Sequence, residues 1–452
     1  MTEVLEEKDT HLSNFARLER EFAGKPRPWV HRIRTAAISR FAELGLPSNR
    51  DEEWRFTNVA PIAKTRFRPA NGYELDGVTT KQISRFTLDE FDSIGVVLVF
   101  VNGRLSEELS SFRHLPDGVK VGSLAAALEN DRDQVEPYLA RFADYKDHGF
   151  VALNTAFIED GAFVHVPKGK VIEQPIHLLF VSTASGEPTI SHPRNLIVAG
   201  DNSQLTIIES YLGLDGGVYF TNAVTEIAMG QNAVIDHYKV QHESLEAFHV
   251  ATLAVHQDRN SNFRSHSISL GGAIARNDIH ATLDAVGIEC TLNGLFMATD
   301  RQLMDHHTTI DHAQPHCNSH EVYKGVLDGK SRGVFSGKII VRQDAQKTNA
   351  KQTNKNLLLS ADAMVDTKPQ LQIYADDVKC THGATIGQLD ADSIFYLRSR
   401  GIGHEDARHL LTCAFANEIL AQIKIAPLRD RLEELMLTRL QKGVAEVARL
   451  RA

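Results

Sequence analysis

The sequence predicts a mainly β fold with a helical region at each end, and three observations carry that expectation. Through the middle of the chain, apolar residues alternate with a period of two in run after run, as they do in strands with one face turned inward. Short polar turns precede many of these runs at intervals of roughly 25–30 residues, the spacing of a stacked β architecture. Helical spacing, by contrast, occurs mainly toward the two ends of the 452 residues.

The N-terminal part reads as two helices. Leu12, Phe15, Ala16, Leu18 and Phe22 recur at mostly helical spacing, with Ser13 as a cap, and Pro26 and Pro28 then break the pattern. Trp29, Ile33, Ala37, Phe41 and Leu44 form the second stripe, which Gly45-Leu46-Pro47-Ser48 ends through glycine and proline chemistry. A short link, Asp51-Glu52-Glu53-Trp54-Arg55-Phe56, leads into mixed sequence up to about Asp92. Residues 1–92 are expected to form this helical and mixed region.

Residues 93–400 are expected to form the β core. Phe163-Val164-His165-Val166, Gln204-Leu205-Thr206-Ile207 and Ala233-Val234-Ile235-Asp236-His237-Tyr238 alternate. So do Ala273–Ile279 and Val334–Ile340, and Gly200-Asp201-Asn202-Ser203, Gly230-Gln231-Asn232 and Asp328-Gly329-Lys330-Ser331 are turn sequences. Hardly any credible helix interrupts the run of strands from Ala152 onward. A parallel β-helix fits, because each coil buries its apolar face against the next. A sandwich or double barrel fits the periodicity equally well.

Residues 401–452 return to helical spacing. Ala407, Leu410, Leu411, Ala414, Phe415 and Ile419 make one stripe, Pro427 breaks the chain, and Leu428, Leu432, Leu435, Met436 and Leu440 make another. The stripes serve core packing or offer a groove to a partner.

Composition narrows the function. A net charge of −9 argues against a nucleic-acid binder, and no apolar run approaches the roughly 18 residues of a membrane span. The acidic start, Met1-Thr2-Glu3-Val4-Leu5-Glu6-Glu7, lacks the plan of a signal peptide. Four cysteines in so long a chain read as free thiols in a reducing compartment. A cytoplasmic protein is expected.

Two constellations offer chemistry. The richer is Asp305–Glu321, with His306, His307, His312, His316, Cys317 and His320, from which a metallohydrolase would draw imidazoles and a carboxylate. It lacks the spacing of an established zinc site, and histidines in alternating strands more often serve structural hydrogen bonding. The sparser is Cys380 with His382, two residues apart and therefore on one face of a strand, roughly 6–7 Å apart. One sulfur and one nitrogen do not close a metal site, so other ligands must come from elsewhere, another chain included. Both side chains share the parity of Val378, which also permits simple inward packing, and Asp376-Asp377 marks a place for a bulge. Cys290 and Cys413 read as small buried hydrophobes. Gly325-Val326-Leu327-Asp328-Gly329-Lys330-Ser331 imitates a phosphate loop with one residue too few between its glycines and a strand after it, so it reads as a β-turn and not an ATP site.

The run Asp376–Gly387, continued by Phe395-Tyr396-Leu397-Arg398-Ser399-Arg400-Gly401, closely resembles the SufB/SufD family of iron–sulfur cluster assembly proteins. Pro47–Thr57, Tyr323-Lys324-Gly325-Val326-Leu327, Phe335-Ser336-Gly337-Lys338-Ile339 and Asn356-Leu357-Leu358-Leu359-Ser360 are similar to it as well. The cysteine–histidine form of Cys380-Thr381-His382-Gly383-Ala384-Thr385 looks like the SufD branch, since SufB-like chains carry an acid-rich stretch there.

The resemblance implies a right-handed parallel β-helix between helical regions, in a non-catalytic scaffold subunit. It implies pairing with SufB through strands near the ends of the two β-helices. The C-terminal helices would dock the SufC ATPase, whose ATP hydrolysis opens the SufB–SufD interface. Sulfur would arrive as persulfide from a cysteine desulfurase, and a transient iron–sulfur cluster would form between the subunits. His382 matches the family histidine at that interface, with Cys380 a second ligand and Gly383 a place for close backbone approach. A homodimer without SufB and an accompanying flavin are left open.

Overall fold

The computed structural model describes residues 2–22, 27–70, 77–84, 95–113, 115–184, 186–214 and 216–450. The break at Pro26 and the boundary at residues 92–93 lie outside the described residues.

The alternating segments form two long sheets, each strand pairing with the strand two places away in sequence. One sheet stacks Arg194–Ala199, Tyr219–Met229, Phe248–Gln257, Ile274–Leu283, Leu303–His312, Arg332–Val341 and Met364–Ile373. The other stacks Ile176–Ser182, Gln204–Gly213, Val234–His242, Asn262–Ser269, Glu289–Ala298, Asn318–Leu327, Asn349–Leu358 and Lys379–Gly387. All these pairings are parallel and in register, as in Ala350↔Cys380 and His306↔Phe335. The chain therefore winds as a parallel β-helix, and the sandwich and barrel alternatives fall away. A parallel pair needs a crossover between its strands, and here the other sheet of the same coil supplies it.

The turns explain the polar punctuation. Asn202, Asn232 and Asn260 take left-handed conformations (φ 55, 57 and 54°) at successive corners, where asparagine tolerates a geometry that branched residues resist. Asn232 Nδ2 donates to Asn202 Oδ1 at 2.9 Å, stacking one corner on the next. Inside, aligned side chains build ladders: the rings of Phe100, Phe180 and Tyr211 stack with centroids 4.8 Å apart in consecutive coils. Polar residues also face inward, and Glu209, His237, Glu243 and His249 are buried in the bore.

Helical regions cover the outer faces. Helix Pro28–Leu44 ends at Gly45 (φ 67°), and its Ala37 and Phe41 pack with Leu153 against Phe220, Phe248 and Ile274 of the first sheet. Helix Thr2–Phe22 runs straight through Ser13, so that residue is not a cap. Short helices Leu124–Asn130 and Gly149–Ala156 precede the regular stack. Helices His404–Leu420 and Ala426–Leu450 lie on the second sheet, where Ile419, Leu420, Leu428, Leu432 and Met436 meet Tyr238, Leu270, Leu295, Met297 and Val326. Of the expected stripes, Ala407, Ile419, Leu428, Leu432 and Met436 serve the core, whereas Leu410 and Ala414 are exposed. Among the described residues, no helix is long and apolar enough to cross a membrane.

Candidate functional site

Met364–Ile373 and Lys379–Gly387 are the last strands of their sheets, so each has a neighbour on one edge only. Glu52 of the N-terminal region pairs with Lys368 on Met364–Ile373, and among the described residues no further strand lies beside either terminal strand. The strands beneath are mostly buried, whereas almost every residue of Lys379–Gly387 is exposed. The same end displays Met364, Tyr374, Ile386, Phe395 and Tyr396, the last two 73% and 56% exposed. Unpaired backbone groups beside apolar side chains make this edge a template for another chain. Asp376-Asp377, expected as a bulge, is instead the bend that joins the two strands.

Cys380 and His382 share the inward parity of this strand. Cys380 is half-buried, in one cluster with Ile339, Val341, Ala350, Ala375 and Val378. Burial pushes its thiol up, which disfavours the thiolate that binds metal. His382 stands exposed in the mouth of the bore. A Cβ on Gly383 would meet nothing within 4 Å, which leaves room beside His382 for an incoming chain. Among the described residues, no three His, Cys, Asp or Glu side chains gather in a group able to hold a metal ion. The pair therefore offers one accessible nitrogen and one guarded sulfur.

Strand Leu303–His312 treats its histidines differently, because alternation sends neighbours to opposite faces. His306 points into the bore between the rings of Phe296 and Tyr323, and burial lowers its pKa to about 3. His312 faces inward two coils from the end, 2.9 Å from Ser319 Oγ, and burial lowers it to about 4. His307 faces outward, bridging Asp305 at 3.0 Å and Glu53 at 3.3 Å. Burial opposes its charge, but the Asp305 carboxylate and these bonds prevail and raise its pKa. His316 sits on a turn with φ 59°, and His320 is exposed on the outer face of the other sheet. The cluster of the sequence is not a cluster in space.

Sequence reasoning missed what holds His307. Arg276 lies over the Trp54 ring, 3.7 Å from its centroid, and donates to Asp305, Asp278 and the Glu53 carbonyl at 2.7–2.8 Å. Thr57 Oγ1 donates to Asp305 as well, at 2.5 Å. This buried clamp fixes the Glu52–Thr57 segment to the outer face of the first sheet, beside a cleft of about 710 Å³. The Glu-Trp segment is thus structural, and nothing in its local pattern names a partner more than 200 residues away.

Sequence reasoning also missed the column beneath His382. Gln352 lies directly below it in register, and Glu321 lies below Gln352. Both are buried, and Gln352 Nε2 donates to Glu321 Oε2 at 2.7 Å. Burial raises Glu321 to about 7. Aligning the strands at a repeat of about 30 residues exposes this column in the sequence.

Comparisons with known proteins agree with this architecture. Residues 180–415 match the family described as "SUF system FeS cluster assembly, SufBD core domain", and residues 6–178 match "SufBD protein N-terminal region". The chain is 39% identical to an iron–sulfur cluster assembly SufBD family protein of Synechocystis sp., over 89% of both chains. It is 31% identical to the iron–sulfur cluster assembly protein SufD of Escherichia coli, over 87% of this chain and 89% of that one. SufD of Bacillus subtilis is 26% identical over 93% of this chain and 95% of its own length.

Proposed function

The chain belongs to the SufB/SufD family of iron–sulfur cluster assembly proteins, and on that premise we propose that it is a non-catalytic scaffold subunit of a SufB–SufC–SufD complex. One observation carries the reading: the β-helix ends in an uncovered, apolar-rimmed coil whose mouth presents His382. A parallel coil of SufB set against that end would pair the open edges and bury the apolar rim.

In this reading the cluster is cargo, assembled between the subunits and passed on. His382 supplies a nitrogen that suits iron, in a ligand set more labile than four thiolates. Cys380 is the weaker ligand, since its thiol is held protonated by burial. ATP is hydrolysed in SufC, docked on the exposed side of the C-terminal helices in 401–452, and sulfur arrives from a cysteine desulfurase. A cytoplasmic setting suits this exchange. The metallohydrolase alternative finds no support, because its histidines are scattered over two faces and a turn.

Anaerobic co-purification with SufB and SufC, followed by visible spectra, tests the site. His382→Ala should abolish cluster absorbance while the three chains still co-purify, and unchanged absorbance refutes the assignment. Docking of SufC is best tested at single positions. Removing the helices would strip the apolar cover from Leu295, Met297 and Val326 and so disturb the core. Leu410 and Leu437 are exposed on those helices, so Leu410→Asp and Leu437→Asp leave that cover in place. Loss of SufC capture by either variant is expected, and full capture by both removes the C-terminal docking surface from the proposal.

A further inference from the structure

Gln352 is placed by three constraints. Its Nε2 donates to Glu321 Oε2 at 2.7 Å, which directs the amide nitrogen down the column, away from the terminal coil. Its Oε1 is buried and has no hydrogen-bond partner. Gly337, on the facing sheet, leaves the space this amide fills, since a Cβ there would overlap Gln352 Nε2. The glycine of Phe335-Ser336-Gly337-Lys338 thus seats Gln352.

Directly above stands His382, on the neighbouring parallel strand and with the same inward parity. In the isolated chain the imidazole is exposed and is not hydrogen-bonded to Gln352. A partner that closes the mouth takes water away from the ring, and a buried N–H then needs an acceptor. The acceptor waiting in its own column is Gln352 Oε1. Two unpaired groups, adjacent in register, satisfy each other when the coil is covered.

We infer that Gln352, seated by Gly337 and anchored by Glu321, is the positioning residue of His382: its Oε1 receives one imidazole N–H and leaves the other ring nitrogen turned toward the interface. The hydrogen bond at one ring nitrogen sets which nitrogen is free to bind metal. The inference rests on the reading that SufB covers the terminal coil, and it deepens that reading by adding a residue one coil away from the ligand.

The test is a double-mutant cycle on affinity, without iron or sulfide. SufB binding is measured by calorimetry for the wild-type chain, His382→Ala, Gln352→Met and the double variant, with thermal unfolding to confirm that each is folded. One net hydrogen bond corresponds to a coupling of about fivefold in affinity. Gly337→Ala keeps the glutamine but displaces its amide, so it should weaken binding as Gln352→Met does, and only when His382 is present. Additive effects within about twofold, in both series, overturn the inference while leaving His382 free to act as a ligand. If the wild-type chain does not bind SufB, the covered-coil reading falls and the inference with it. Absorbance of the assembled complex judges the ligand role separately.

Discussion

Strands Leu303–His312 and Lys379–Gly387 belong to the same β-helix, have nearly the same length and obey the same alternation, yet they use histidine in opposite ways. The first is rich in ligand types and buried beneath later coils. Each of its imidazoles is stacked, hydrogen-bonded or locked in an ion pair. The second carries one histidine and one cysteine at the uncovered end of the stack. The density of ligand-type residues therefore misleads here. What makes a side chain available is its position in the stack: a coil with a successor encloses its polar groups, and a coil without one presents them to a partner.

The largest expected effect lies at the clamp that holds Asp305 of the histidine-rich strand from the neighbouring strand Ile274–Leu283. Arg276→Met leaves buried Asp305 and half-buried Asp278 with a large part of their compensation removed. It should cost about 3 kcal/mol or more in urea unfolding. A loss below about 1 kcal/mol would show that the clamp is dispensable and the two strands less different than their contacts indicate.

Glu321 sits between the two regions and gives the next effect. Its folded pKa, about 7, lies above the ordinary carboxyl value of 4.5, so the folded state holds this proton more tightly than the unfolded chain does. Its contribution to stability is therefore full below pH 4.5 and is lost as pH rises toward and past 7. Glu321→Gln should remove that loss and stabilise the protein at pH 8 by about 2–3 kcal/mol, with a smaller gain at pH 5.5. Equal urea midpoints for wild type and variant at pH 8 would show that the carboxylate is accommodated without penalty.

The smallest effect belongs to the terminal coil. Exposed His382 should tolerate replacement by alanine with a stability change within about 0.5 kcal/mol, since its ring packs on little in the isolated chain. A destabilisation of about 2 kcal/mol would make it a core residue and erase the contrast with His306. The combination of near-neutral stability and lost cluster assembly would be the clearest statement of that contrast.

Much of the architecture is legible in the sequence, for reasons that are local. Period-two alternation and corner asparagines such as Asn202 and Asn232 are imposed by each strand and turn on its own, so they survive in the sequence as pattern. The end of helix Pro28–Leu44 at Gly45 is legible for the same reason, whereas Ser13 misleads because a long helix tolerates a serine in its interior at small cost. The motif Gly325–Ser331 separates from a phosphate loop on spacing alone, and Asp328–Ser331 indeed turns directly into strand Arg332–Val341.

Residue order was enough to establish that the chain is mainly β with helical ends, and that Cys380 and His382 share a face if their segment is a strand. Alternation, turn chemistry and residue spacing are properties of neighbours along the chain. It took the folded molecule to show that their strand is the last, that Cys380 turns into the core while His382 stays open, and that Gln352 waits beneath. The fold likewise sets the C-terminal stripes over the second sheet and makes His307 answer to Asp305 and Glu53. Burial and ion pairing depend on what stacks above and what packs across, and those neighbours are separated by tens to hundreds of residues.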